Sequence, residues 1–334
     1  MNFCMDRILA CTCRGSMGRL RVDMVKLISI GVVSGLFFST TFVLNRLMSL
    51  EGGHWVWTAS LRYLFMLVLL FCWFLSSGNL RLLRELLQLY CRHWLFWTVA
   101  GTIGFGFFYA LISYSASFSP GWVIATTWQT TIIATPIVLL GFRRKVPGRA
   151  LFFSLLIFAG VVLVNVSQAQ TAPLRDVLMG GIPVLIAAFC YPFGNQLVWE
   201  VQNRGHRLLP SIDSPALNRP FAKVLLLTVG SIPFWLLVVL VCQPPPPAAS
   251  QVMQTAMVAL FSGIVATSLF LYARQLAKDP YELSAVDATQ ASEVIFALAG
   301  EIFFLHAAMP DVYGITGIII TILGLCLYIR AQAR

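Results

Sequence analysis

The sequence predicts an all-α integral membrane protein: ten transmembrane helices in two inverted five-helix repeats, with both termini cytoplasmic. Three observations carry that prediction. Ten apolar stretches of about 20 residues run through the chain, the length an α-helix needs to cross a ~30 Å hydrocarbon core at ~1.5 Å per residue. Of the 23 Lys and Arg, all but Arg46, Arg62 and Arg175 lie in the amino-terminal segment, the even-numbered loops or the carboxyl tail. That asymmetry places those segments inside. The order of features in the first half of the chain also recurs in the second.

The stretches are expected at 24–48, 54–76, 93–114, 120–141, 148–168, 177–200, 221–242, 251–274, 280–305 and 311–330. The second opens on the interfacial pair Trp55 and Trp57 and carries Arg62 about 12 Å deep. The third, GTIGFGFFYALISYS, alternates glycines with Phe105, Phe107, Phe108 and Tyr109. Small residues there favour close helix packing, and the rings are also suited to line a path for lipophilic or cationic solutes. The fourth opens at Ser119-Pro120 and repeats Thr127, Thr131 and Thr135 every four residues beside Trp128 and Gln129. Such threonines serve as helix–helix glue or as the lining of a polar cavity. Pro136 deletes one helical hydrogen bond and is expected to kink this helix.

The sixth stretch holds Pro183, Pro192 and Gly194, followed by Asn195 and Gln196, and is expected to be interrupted. The ninth opens at Asp279-Pro280 and carries Asp287, Glu293 and Glu301. Glu293 falls about 20 Å along it, slightly past mid-membrane, and Asp287 lies about 120° away around the helix. Glu301 is expected close to the outer interface and solvated. Gly314, Gly317 and Gly324 suit the tenth to tight packing. Between the stretches, Pro244 to Pro247 make a stiff turn.

Charged residues are only 11% of the chain and hydrophobic residues 58%, against a charged share of about 25% in soluble domains. The net charge of +10 sits in short turns such as Arg143-Arg144-Lys145, which suits lipid headgroups and excludes nucleic acid as partner. The eight cysteines form no CxxC pair and read as free thiols. His54, His93, His206 and His306 do not cluster in sequence, so no metal, cofactor or catalytic site is expected and an enzyme is not favoured. Residues 1–23 lack an apolar run long enough for a signal peptide and read as a cytoplasmic extension, with Met17 and Met24 equally available as starts. No Gly-Lys-Ser/Thr phosphate loop is present, so no ATPase is expected.

The repeat divides the chain at 24–170 and 171–334. Aligned without gaps, Gly31 meets Gly181, Asn45 meets Asn195 and Leu47 meets Leu197. Five helices per half is an odd number, so the second copy enters the membrane from the opposite face. Inverted repeats of this kind mark transporters that exchange two conformations. The candidate pathway residues are Tyr109, Trp128, Gln129, Thr131, Asn195 and Gln196. Intramembrane charge demands a reason, which makes Glu293, Asp287 and Arg62 candidates for proton or ion coupling. The alternative for Glu293 is a structural ion pair with Arg62.

Ten helices in two such halves resemble the drug/metabolite transporter superfamily. The stretches FSTTFVLNRLMSLEGGHWVWTASLRYLFM (38–66) and SPGWVIATTWQTTI (119–132) resemble its multidrug resistance efflux transporters. The resemblance covers about 24–330. It implies an exporter of small organic solutes in a bacterial inner membrane, with lipid, a lipophilic or cationic solute and protons as partners and a homodimer as a candidate assembly. A metabolite permease is the alternative, and a lipid-acting membrane enzyme or a non-transporting accessory protein stands in another class. The small four-helix pumps of that superfamily use a membrane-embedded Glu in their first helix. Here the first helix has no acidic residue, which leaves Glu293 as the carboxylate for proton exchange.

Overall fold

A computed structural model describes residues 3–143, 148–203, 209–277 and 280–332. Arg144, Lys145, Pro147, Arg204, His206, Arg207, Lys278, Asp279 and Arg334, and the side chains of residues 1–23, lie outside the described set. Ten helices are long and apolar enough to cross a membrane: α1 (Met24–Leu50), α2 (Trp55–Ser76), α3 (Trp94–Ser115), α4 (Gly121–Gly141), α5 (Phe152–Thr171), α6 (Leu174–Gln202), α7 (Pro220–Cys242), α8 (Ala249–Leu276), α9 (Ala285–Leu305) and α10 (Val312–Arg330). No strand occurs among the described residues. Large side chains such as Leu64, Trp73, Leu240 and Phe304 stay exposed on the outside of the bundle. Water would penalise that surface and lipid tails do not.

Successive spans alternate direction, so the odd-numbered loops gather at one end of the bundle and the even-numbered loops at the other. The second loop holds a further helix, Leu80–Arg92, which the hydropathy pattern did not flag. Its Leu83 and Leu86 are buried while its basic residues Arg81, Arg84 and Arg92 point away, the pattern of a helix lying along an interface.

α5 and α10 pack on each other more extensively than any other pair. The reason is at Gly160 and Gly317: a Cβ on either would sit within 2.7 Å of the other's carbonyl oxygen, so only glycine permits that approach. α3 and α6 cross in the same way at Gly104 and Gly194, where a Cβ on Gly194 would lie 2.4 Å from the Gly104 Cα. Around these seams α1 packs on α8 and α9, α6 on α3 and α4, α7 on α2 and α3, α2 on α8, and α4 on α9.

Four of the central spans depart from regular α-helix. π-type turns occupy Thr102–Phe107 in α3 and Ala259–Ala266 in α8. α4 tightens at Gln129 and Thr130, whose N–H groups bond carbonyls three residues back at 3.1 and 3.0 Å. α9 contains a 3₁₀ turn over Thr289–Ala291. The interruptions were expected elsewhere, at Pro136 and in the sixth helix. Instead α6 runs unbroken from Leu174 to Gln202 through Pro183 and Pro192. A proline removes one donor, but a helix held by neighbours on several sides keeps its course.

Candidate functional site

The irregular segments surround one point in the bundle. Arg62 extends from α2 into the middle of the protein and is only 8% exposed. Its guanidinium carbon lies 3.9 Å from the centroid of the Tyr109 ring on α3, a cation–π contact. Its Nη2 donates to Ser262 Oγ on α8 at 3.3 Å. That serine is held in turn by Thr41 of α1, whose hydroxyl lies 2.7 Å away. The Nε and Nη1 of Arg62 find no acceptor. A cavity of about 70 Å³ is lined by Arg62, Thr41 and Ser262 together with Phe38, Phe42, Phe108, Ile112 and Trp128.

Aromatic side chains extend the wall. Trp128 packs on Phe108 with centroids 4.9 Å apart, and Tyr191 of α6 packs on both, at 5.1 and 5.8 Å. Tyr191 bonds Asn195 one turn later and lies within range of the charges on Glu293 and Arg62. Tyr109 donates its hydroxyl to Asn45 Oδ1 at 3.1 Å. The group therefore draws on α1, α2, α3, α4, α6 and α8.

Tyr109, Trp128 and Arg62 thus lie around one centre, Asn195 is joined to it through Tyr191, and Glu293 is buried on α9 within electrostatic range of Tyr191. Gln129 does not reach into it: the side chain is buried and its amide turns back to the Ala125 carbonyl at 3.3 Å. Thr131, half-buried on the turn after the tightening, makes no side-chain hydrogen bond to the central group among the described residues. Gln196 donates to Glu200 within its own helix at 2.7 Å. Asp287 pairs with Arg274 at 2.8 Å, near the even-loop end. Among the described residues Glu293 makes no hydrogen bond or ion pair; Arg62 is engaged with Tyr109 and Ser262 instead. Ser262, Thr41 and Tyr191 were missed as site residues. Their only signal was a polar group within an apolar run, too common to single them out.

The odd-loop end is arranged differently. Glu301 is buried, not solvated as the depth argument expected, because it caps α4: Oε1 accepts from Gly121 N at 2.6 Å and Oε2 from Trp122 N at 3.3 Å. A carboxylate at a helix N-terminus satisfies donors that have no helical partner. Arg46 donates to the Ala116 carbonyl at 2.9 Å and lies within range of the Glu301 charge. Gln168 donates to Ser119 Oγ at 2.7 Å. Asp311 accepts from Ser167 Oγ and, at 2.8 Å, from Gly314 N. Those two bonds hold the Asp311 carboxyl below the usual carboxylate range. No set of three His, Cys, Asp or Glu side chains that could bind a metal occurs among the described residues.

Comparison with known proteins decides the family. Residues 25–334 match the family model EmrE, described as "Putative multidrug resistance efflux transporter". The chain belongs to this family. It is a multi-pass membrane protein of a transporter family, and both findings agree with the ten apolar spans. Similar proteins include the "Uncharacterized protein YjlA" of Bacillus subtilis (strain 168), 38% identical over 324 residues, spanning 92% of this chain and 95% of that protein. Another is the "Uncharacterized 42.1 kDa protein in intracellular alkaline protease 3'region" of Shouchella clausii, 34% identical over 286 residues, spanning 82% of this chain and 71% of that protein.

Proposed function

We propose that the protein exports a small organic solute across a bacterial inner membrane by alternating access, through the central site at Arg62, Tyr109, Trp128 and Tyr191, in exchange for protons taken up at Glu293. One observation carries the reading: a polar and aromatic centre built from six spans, with irregular turns in α3, α4 and α8. Non-regular backbone within a membrane is tolerated where protein covers it or where it lines a cavity.

The inverted-repeat reading draws support from how the helices pair. Shifting every helix by five positions exchanges α1–α9 packing with α6–α4, α3–α6 with α8–α1, and α7–α3 with α2–α8, and returns α5–α10, α2–α7 and α4–α9 to themselves. The π turns of α3 and α8 correspond, as do the tightened turns of α4 and α9. In the ungapped alignment Thr41 corresponds to Tyr191 and Asn45 to Asn195, and all four belong to the central group. Because one chain supplies both repeats, the proposed pathway is complete in a monomer.

The basic residues assign the even-loop end to the cytoplasm. A single cysteine at Pro245 should label with membrane-impermeant reagent in intact cells, and one at Arg219 should not; labelling at Arg219 in sealed cells reverses the orientation. Transport is tested in reconstituted vesicles carrying a pH gradient and offered a panel of solutes. Solute movement that collapses with the gradient is expected. Glu293→Gln should abolish that coupling while leaving solute binding within about twofold of wild type, since the amide keeps the shape and cannot exchange a proton. Absence of flux for every solute would overturn the exporter reading. A pH dependence that survives Glu293→Gln removes that residue from coupling.

A further inference from the structure

We infer that the solute is a monoanion, a carboxylate attached to an apolar or aromatic body, and that Arg62 is the residue that receives its carboxylate. The inference rests on the central site being the transport pathway, and it runs against the cationic solutes that the family resemblance implied.

Arg62 is a permanent cation, more than nine-tenths buried, and it forms no ion pair among the described residues. An unpaired charge at such a depth is costly, and membrane proteins place one only where a partner ion or a function demands it. Among the described residues no carboxylate is paired with Arg62. Glu301 is committed to the α4 N-terminus, Asp287 to Arg274, and Glu293 makes no ion pair among the described residues. The counter-charge is therefore left to the solute.

Geometry narrows the chemistry. Tyr109 covers one face of the guanidinium at 3.9 Å, so a ligand meets its N–H edges. One nitrogen is used on Ser262, the buried Nε and Nη1 have no acceptor, and Arg62 is among the residues that line the cavity. Hydrogen-bond donors fixed in one plane are suited to a planar oxyanion, which accepts two at once. A cationic head at this point would face the guanidinium charge directly and be repelled. A doubly charged phosphate would leave one negative charge uncompensated, since one cation faces the cavity. The cavity of about 70 Å³ is the size of a carboxylate group, a water's share of liquid being about 30 Å³. Phe38, Phe42, Phe108 and Trp128 would take the attached body.

Three probes with one body and different heads test this: 3-phenylpropanoate, its amide 3-phenylpropanamide, and 3-phenylpropylamine. Binding to the purified full-length protein is measured calorimetrically at pH 7.5. The carboxylate should bind at least about tenfold more tightly than the amide, the size of one charge-assisted hydrogen-bond pair, and the amine most weakly. Arg62→Gln should shrink the carboxylate-to-amide ratio to below about twofold. Arg62→Lys, which keeps the charge and loses the fork, should give an intermediate ratio. That ratio in wild type and in Arg62→Lys decides the question even where Arg62→Gln does not fold. An amine that binds as tightly as the carboxylate, a ratio unmoved by either substitution, or no binding of any probe overturns the inference. Vesicle flux separates it from the transport reading. Flux with amine preferred keeps the exporter and discards the anion, whereas carboxylate-selective binding without flux under any gradient does the reverse.

Discussion

The two ends of the bundle are held by different means. At the odd-loop end, spans distant in sequence are stitched by buried or half-buried bonds: Glu301 to α4, Arg46 to Ala116, Gln168 to Ser119, and Gln251 to His54 and Thr58, the last two both at 2.9 Å. At the even-loop end the ion pair of Arg274 with Asp287 joins α8 to α9 with side chains 40% and 32% exposed, and Ser214 reaches Glu85 on the surface. Buried charge-assisted bonds hold far more tightly than exposed pairs. In the proposed alternating-access cycle, the bonds at the odd-loop end have to be unfastened before that end opens.

Cutting the stitches should have the largest effect. Glu301→Ala strips two N–H groups of their acceptor at a buried helix start and leaves Arg46 without its neighbouring charge. A destabilisation of about 2–3 kcal/mol is expected, read as a lower melting temperature of the detergent-solubilised protein. A cysteine placed at Ser119, buried in the wild type, should then become reactive. Unchanged melting together with a still-shielded Cys at that position would mean that the two ends are equally closed.

A smaller effect is expected at the exposed pair. Arg274→Gln breaks an exposed pair and should cost less than about 1 kcal/mol; a shift matching that of Glu301→Ala would erase the contrast. The smallest concerns acid. The Asp311 carboxyl is held below its ordinary range by Ser167 and Gly314. Its contribution is complete above the unfolded value of about 3.9 and fades as pH falls through the lower folded value. Asp311→Asn should therefore melt slightly below wild type at pH 7, with the gap closing towards pH 3. A gap that stays constant with pH would assign the effect to shape instead of charge.

Much of this was legible in the sequence because a bilayer imposes a strong filter. Twenty apolar residues in a row have few alternatives to a spanning helix, and Arg62 announced itself as a charge where lipid forbids one. The rest depended on partners far along the chain. Glu301 looked like an interfacial residue because its depth is computed along one helix, while the groups it caps lie on another. Gln129 and Trp128 are neighbours in sequence, yet a local tightening of α4 turns one back onto its helix and the other into the centre. The glycines of the third helix pointed to close packing, and Gly104 does meet Gly194; nothing in the pattern marked the extra residue per turn that re-aims Phe108 and Tyr109. The amphipathic helix at Leu80–Arg92 escaped notice because a scan for long apolar runs passes over short mixed ones.

The glycine seam between α5 and α10 also dictates an order of assembly. These are the last helices of their halves, so α5 has left the ribosome at residue 171 long before α10 begins at residue 312. At about 5–20 residues per second, the delay is on the order of ten seconds. During that interval the groove around Gly160 faces lipid, with no backbone pressed against it. The protein cannot close on itself until its final helix arrives, and a chain that stops short of Val312 would leave its most intimate packing surface open for a stranger to fill.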